Sequence, residues 1–218
     1  MTIDLYRSAT SAPCATVQLV AAALDLELNL IDLNVTGGDH LKPEFLKINP
    51  QHTVPTIVDD GFSVWESRTI ARYLANKYGK DSTLYPADVT LRALVDQRLD
   101  FDLGTLYTRF AQYIFPQLMG GKADEALGKK LEEAFGVLDA FLEGNTYAVG
   151  DHLTIADLSL VSTLSSIEAF GFSYKEYPIL TKWYGLVKSS APQCEELTGK
   201  MMSTIREILA ARKAKQGS

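Results

Sequence analysis

The chain has 218 residues, 46% of them apolar and 22% charged, with a net charge of −6 and an isoelectric point near 5.1. That length suffices for one large or two modest domains with real cores, and the acidic balance argues against nucleic acid or an anionic membrane surface as partner, since both call for a basic face. Two cysteines, Cys14 and Cys194, no N-terminal signal peptide and no bilayer-spanning apolar run point to a reduced, cytoplasmic setting without disulfides.

The run Ile3-Asp4-Leu5-Tyr6 reads as a strand, and Ser11-Ala12-Pro13-Cys14 opens a helix to about Leu24, with Val17, Val20, Ala21 and Leu24 at helical spacing. A strand over 28–33 follows, then a loop at Gly37-Gly38-Asp39-His40, a short helix over 43–48 and a strand over 54–58. Asp59-Asp60-Gly61 predicts a hairpin turn into 62–64, and a helix over 67–78 closes the unit. Strands joined first by a helix and last by a tight turn imply a small mixed sheet with helices on its faces.

The stretch Gly79 to Asp88 loses all periodicity and is rich in turn formers, so the first domain is assigned to 1–80, a linker to 81–88 and a second, all-helical domain to 89–218. Leu91, Leu94, Val95 and Leu99 begin a long helix that Pro116 ends or kinks ahead of Gly120-Gly121. Another helix covers 126–142, with Leu131, Ala134, Phe135, Leu138 and Leu142 on one face. Thr154-Ile155-Ala156-Asp157 starts the next with a cap, and Leu153 and Leu158 make a hydrophobic staple. Pro178 and Pro192 open two more, the last ending in a solvated, fraying tail from Arg212.

Three short stretches of the first domain carry candidate chemistry. Ser11 sits at the positive end of a helix, where it either caps that helix or donates to an anion the terminus favours. No Gly-x-Ser-x-Gly elbow surrounds it, so a hydrolase serine paired with His40, His52 or His152 has no local motif behind it, and the segment argues against thiol-disulfide exchange, because Ser11 stands where the attacking thiol belongs.

In Asn49-Pro50-Gln51-His52-Thr53-Val54-Pro55, a cis Pro55 would turn the backbone N–H and C=O of Val54 outward as a clamp for an extended peptide, whereas a trans bond, the commoner state, makes Pro55 a plain strand initiator. Gln51 and His52 lie close enough in sequence to hold a carboxylate. In Trp65-Glu66-Ser67-Arg68, Ser67 and the first helical N–H groups suit a carboxylate and Glu66 an ammonium group, a match to an amino-acid zwitterion; singly, they are an ordinary cap and a first-turn acid. A short peptide bearing a thiol satisfies all three stretches at once.

On these motifs the chain resembles a cytosolic glutathione transferase of the insect delta class, in the delta/epsilon group. The likeness runs nearly end to end, through His40-Leu41-Lys42-Pro43-Glu44-Phe45, Gln97-Arg98-Leu99-Asp100-Phe101-Asp102, Gly104-Thr105-Leu106-Tyr107 and residues 153–157 as well. It implies a thioredoxin-like α/β domain followed by an all-α domain, glutathione as co-substrate, no metal, and a homodimer that conjugates hydrophobic electrophiles, with dehydrochlorination or peroxide reduction as further activities. A non-catalytic relative that sequesters ligands or serves as a structural subunit is the alternative. By the same resemblance Ser11 donates to the glutathione sulfur, Val54 before a cis Pro55 pairs with the cysteinyl backbone, and His40 and His52 hold the glycyl carboxylate. Glu66, Ser67 and Arg68 take the γ-glutamyl end, with Asp102 reaching over from the other subunit. Val35, Tyr107, Phe110, Tyr113 and Phe115 line the electrophile cleft. The family's Pro-Gly ahead of the serine is Ala9-Thr10 here, which brings a second hydroxyl, with Ser8 a third; Arg7 faces either the thiolate or solvent.

Overall fold

A computed structural model describes residues 2–79 and 83–216. Four strands, β1 (Ile3–Arg7), β2 (Leu28–Asp32), β3 (Thr56–Asp59) and β4 (Phe62–Trp65), form one mixed sheet in the order β2-β1-β3-β4. β1 runs parallel to β2, with Leu5 opposite Leu30, and antiparallel to β3, with Leu5 opposite Ile57; β3 and β4 pair antiparallel through Ile57 and Val64. Ile3 and Leu5 alternate into the core with Ile57 and Val64. The β3–β4 turn is made by Asp60 and Gly61, both at positive φ (52° and 79°), as the Asp-Gly pair predicts.

Helices α1 (Ala12–Ala23) and α3 (Ser67–Tyr78) pack on each other and share the sheet's core through Val17, Leu19, Ile70 and Leu74. On the other face Tyr6 meets Phe45 of the short α2 (Pro43–Leu46), ring centroids 5.5 Å apart. α2 is two residues shorter than expected, and the expected loop contains one 3₁₀ turn, Asp39–Leu41. β3 begins at Thr56 rather than Val54, because Pro55 has no N–H to give a ladder.

The remaining elements are helical: α4 (Val89–Phe101), α5 (Thr108–Leu118), α6 (Glu125–Leu142), α7 (Ile155–Ala169), α8 (Pro178–Ser190) and α9 (Cys194–Gln216). The expected single helix up to Pro116 is interrupted by a π turn, Asp102–Tyr107, in which the Thr108 hydroxyl donates to the Leu103 carbonyl at 2.7 Å. Pro116 itself lies inside α5, which ends two residues later. α7 is the central helix, buried from Ile155 to Ile167. Its start is fixed by Asp157, whose carboxylate accepts from the Thr154 N–H (2.8 Å), the Ala148 N–H (2.6 Å) and the Trp183 indole (2.9 Å).

α9 starts at Cys194 rather than Pro192, because Gln193 takes a left-handed φ of 54°. The tail expected to fray from Arg212 is helical to Gln216. Part of the expected linker lies outside the described residues; beyond it, the Leu84 carbonyl accepts from the Ile155 N–H at 2.9 Å, tying the segment to α7. The two halves meet where α1 packs against α7 and α9, with Ala12 and Ala15 among Ala169, Met201, Met202 and Ile205. Small residues on α1 permit that close approach.

Candidate functional site

The turn from β1 into α1 opens on a cavity of about 860 Å³ between the sheet domain and the helices, lined by Ser8, Ala9, Thr10, Ser11 and Ala12 on one side. Ser11 is the N-cap of α1: its hydroxyl oxygen accepts from the Cys14 N–H at 3.3 Å, and its own N–H donates to the Ser8 carbonyl at 3.1 Å. Capping engages a lone pair of the oxygen and leaves the hydroxyl proton free to donate, so the cap and the anion donor are one geometry rather than alternatives. The Ser8 and Thr10 hydroxyls stand 3.4 Å apart beside it.

Cys14 is fully buried, and burial pushes its thiol up to about 11 against the lowering effect of hydrogen bonds from Ser11 and Ser8. It supplies no thiolate near neutral pH. Arg7 is half-buried, held by Asp32 at 2.9 Å and by Gln18 at 2.9 Å.

The second stretch is shaped by Asn49, which is fully buried. Its amide donates to the Thr53 carbonyl (3.1 Å) and the Thr56 hydroxyl (2.9 Å) while its oxygen accepts from the Gln51 N–H (2.9 Å). The Val54–Pro55 bond is cis, and neither the N–H nor the C=O of Val54 has a hydrogen-bond partner among the described residues. An extended peptide would find there one donor and one acceptor. His40, His52, Thr53 and Val54 line the same cavity, the two imidazoles 6.0 Å apart, and the buried Nδ1 of His40 has no hydrogen-bond partner among the described residues.

At the start of α3, Glu66 takes a left-handed φ of 67° and is exposed, its carboxylate accepting from the Gln51 amide at 3.0 Å; Gln51 in turn accepts from the Trp65 indole at 2.9 Å. Ser67 is the first helical residue rather than the cap, and its hydroxyl oxygen accepts from Arg68 at 2.9 Å. The Arg68 side chain, expected from the resemblance at the γ-glutamyl end, is engaged by protein groups. It is buried in the interface between the halves, where Nε and Nη2 both donate to one Asp102 carboxylate oxygen and Nη2 lies 3.4 Å from the Thr163 hydroxyl.

Asp102, expected from the resemblance to serve a second subunit's site, is bound within its own chain. It is fully buried in its own chain, where Ser159 also donates to it at 2.6 Å, because a carboxylate so placed must find its donors nearby.

The apolar wall comes from the helices and the β2 loop. Val35, Tyr107, Phe110 and Phe115 line the cavity. Tyr113 does not; it turns toward α6, stacking edge-on with Phe172 at 5.4 Å and lying over Gly128. Besides Phe115, the lining face of α5 is Phe110, Ile114 and Leu118, a run at i, i+4 spacing that passes Tyr113 by one residue. Not marked by any sequence motif are Phe170, just past the end of α7, and Thr204, Ile205 and Ile208 of α9, which complete the wall. The spacing of Met201, Ile205 and Ile208 signals an inward face on α9, although it names no cavity. Among the described residues no group of three or more His, Cys, Asp or Glu side chains could hold a metal, and no helix is long and apolar enough to cross a membrane.

Two family models match the chain: glutathione S-transferase, N-terminal domain, over residues 5–82, and glutathione S-transferase, C-terminal domain, over 87–190. A delta-class glutathione transferase of Nilaparvata lugens has a similar structure, with a TM-score of 0.93 and 44% identity over 96% of this chain and 99% of that one. So has a Bombyx mori glutathione transferase solved in complex with GTT, at 0.91 and 40% over 95% and 97%. An epsilon-class enzyme of the housefly, Musca domestica, follows at 0.90 and 36% over 96% and 97%.

Proposed function

The chain belongs to the glutathione S-transferase family, and on that footing we propose that it conjugates glutathione to apolar electrophiles with the Ser11 hydroxyl as donor to the thiolate. The observation that carries this reading is a hydroxyl with a free proton at the positive end of α1, facing a cavity that is polar beside Ser11 and apolar opposite. A hydrogen bond to a charged acceptor contributes about 1.5–3 kcal/mol, equivalent to roughly one to two pKa units of thiol acidification, and the helix terminus adds about 0.3–1 kcal/mol. From a free thiol near 8.5, about two units leave glutathione mostly thiolate at neutral pH.

The rest of the tripeptide is held by the groups around that point. The unpaired backbone of Val54, beside cis Pro55, pairs with the cysteinyl unit, and His40 and His52 take the glycyl carboxylate. Glu66 accepts the ammonium group, oriented by Gln51, while Ser67 and the first N–H groups of α3 receive the γ-glutamyl carboxylate. Arg68 and Asp102 act at one remove, by fixing the Ser67 hydroxyl oxygen as an acceptor so that its proton turns to the ligand.

In conjugation the thiolate attacks an electrophilic carbon, a C–S bond forms, and the leaving group departs with its bonding electrons to the open side of the cavity. Elimination of hydrogen halide uses the same thiolate as base, and reduction of an organic hydroperoxide uses it as nucleophile on oxygen. The two free, buried cysteines suit a reducing cytoplasm, and the exposed Leu91 and Leu94 on α4 suit a homodimer contact.

Conjugation of a chlorodinitrobenzene, followed by absorbance, tests the proposal: turnover that falls by at least tenfold in Ser11→Ala supports it. Glutathione binding without turnover in the unaltered protein would favour a ligand-sequestering role instead.

A further inference from the structure

We propose that Tyr107 is a positioning residue that couples the apolar cavity to the glutathione site, so that an apolar ligand and glutathione change one another's affinity. The inference rests on the proposed glutathione transferase reading. The Arg68 guanidinium lies over the Tyr107 ring, 5.5 Å from its centroid, and Tyr107 also lines the cavity. Arg68 is buried, with its edge bound to Asp102 and its Nη1 donating to Ser67. A cation at this distance over an aromatic face is attracted to it.

Both contacts on Arg68 come from one irregular segment. Asp102 and Tyr107 are the first and last residues of the π turn. That turn replaces the regular helical register between α4 and α5, and both its ends meet the guanidinium, Asp102 through hydrogen bonds and Tyr107 through its ring. The Tyr107 phenol is raised above its ordinary value by burial, so the ring remains neutral when a ligand enters. An apolar ligand packed on Tyr107 thus acts on a ring that helps to hold Arg68, and Arg68 holds Ser67. Linkage makes the effect reciprocal.

The test is calorimetric titration of glutathione into the unaltered protein and into Tyr107→Phe, Tyr107→Leu and Tyr107→Met, each with and without toluene as an inert apolar ligand. The two ring-free variants differ in shape, so that one serves where the other does not fold. Ring-free variants should bind glutathione about threefold to tenfold more weakly without toluene, and Tyr107→Phe should bind it normally. Toluene should change glutathione affinity about threefold in the unaltered protein and in Tyr107→Phe, and not in the ring-free variants. Undiminished glutathione affinity after loss of the ring overturns the proposal, as does a toluene effect that is absent from the unaltered protein or survives ring loss. Failure of the unaltered protein to bind glutathione at all would instead count against the proposed function.

Discussion

The Cys14 N–H donates to the Ser11 hydroxyl oxygen at 3.3 Å, so the residue that ends the β1–α1 turn also caps the helix that faces the cavity. Stability and chemistry therefore meet in one side chain, and substitution can separate them. Ser11→Ala should cost about 1 kcal/mol in urea unfolding through the lost cap. Ser11→Asp, a good cap that brings a negative charge to the thiolate's position, should restore most of that stability and still fail to conjugate.

Asp102 and Arg68 are both buried and paired. Removing the carboxylate leaves a cation without its partner, which costs about 3–5 kcal/mol in comparable sites. Asp102→Ala should show this loss in denaturant unfolding, together with a raised KM for glutathione, because Arg68 then no longer holds Ser67. Asp102→Asn should lie between the two.

Burial pushes the thiols of Cys14 and Cys194 each up to about 11. Neither should react with iodoacetamide in the folded protein at pH 8, and both should react in urea, as counted by mass spectrometry. Conjugation should survive Cys14→Ala, since the sulfur that reacts belongs to glutathione. Loss of activity on alkylation of the folded protein would contradict this.

Asp59, though nearly fully buried, accepts from Tyr73 (2.8 Å), Lys77 (2.7 Å) and Tyr78 (2.8 Å). Burial alone would raise its carboxyl, but these donors and the Lys77 charge outweigh it and hold it below the ordinary 3.8. A carboxylate depressed on folding stabilises the protein fully above its unfolded pKa, and that stability is lost as the pH falls through the folded value. Asp59→Asn should therefore lower the melting temperature at pH 6, and the gap to the unaltered protein should narrow only below about pH 3.8.

Arg212 of α9 donates to the carbonyl of Leu118, the last residue of α5, at 2.9 Å. Both helices wall the cavity, so this bond fixes their separation and satisfies an end carbonyl of α5. Arg212→Ala should speed amide exchange in the last turns of α9 and shift KM for bulky electrophiles relative to small ones, with KM for glutathione unchanged.

Much of this architecture can be read in the chain because its signals are local. The Asp60-Gly61 turn, the helix over 67–78 and the capping pair Thr154 and Asp157 each rest on a few neighbouring residues, and each appears where the residue types direct. The π turn leaves no such mark: Asp102 to Tyr107 read as ordinary helix, and the Arg68–Asp102 pair that rewards the irregularity links residues 34 apart in sequence. The same holds for the site. Ser11, Val54 and Glu66 sit in short motifs, whereas the roles of Arg68 and Asp102 as each other's partners, the turning of Tyr113 toward Phe172 and the contribution of α9 all depend on how the two halves pack.

The central claim is that the Ser11 hydroxyl stabilises the glutathione thiolate, and the ultraviolet absorbance of that thiolate reports it directly. Titrated against pH in the binary complex, bound glutathione should ionise about one to two pKa units below the free tripeptide in the unaltered protein. In Ser11→Ala it should return toward the free value, while Thr10→Ala leaves it lowered. An equally lowered pKa in Ser11→Ala, with glutathione still bound, would contradict the account.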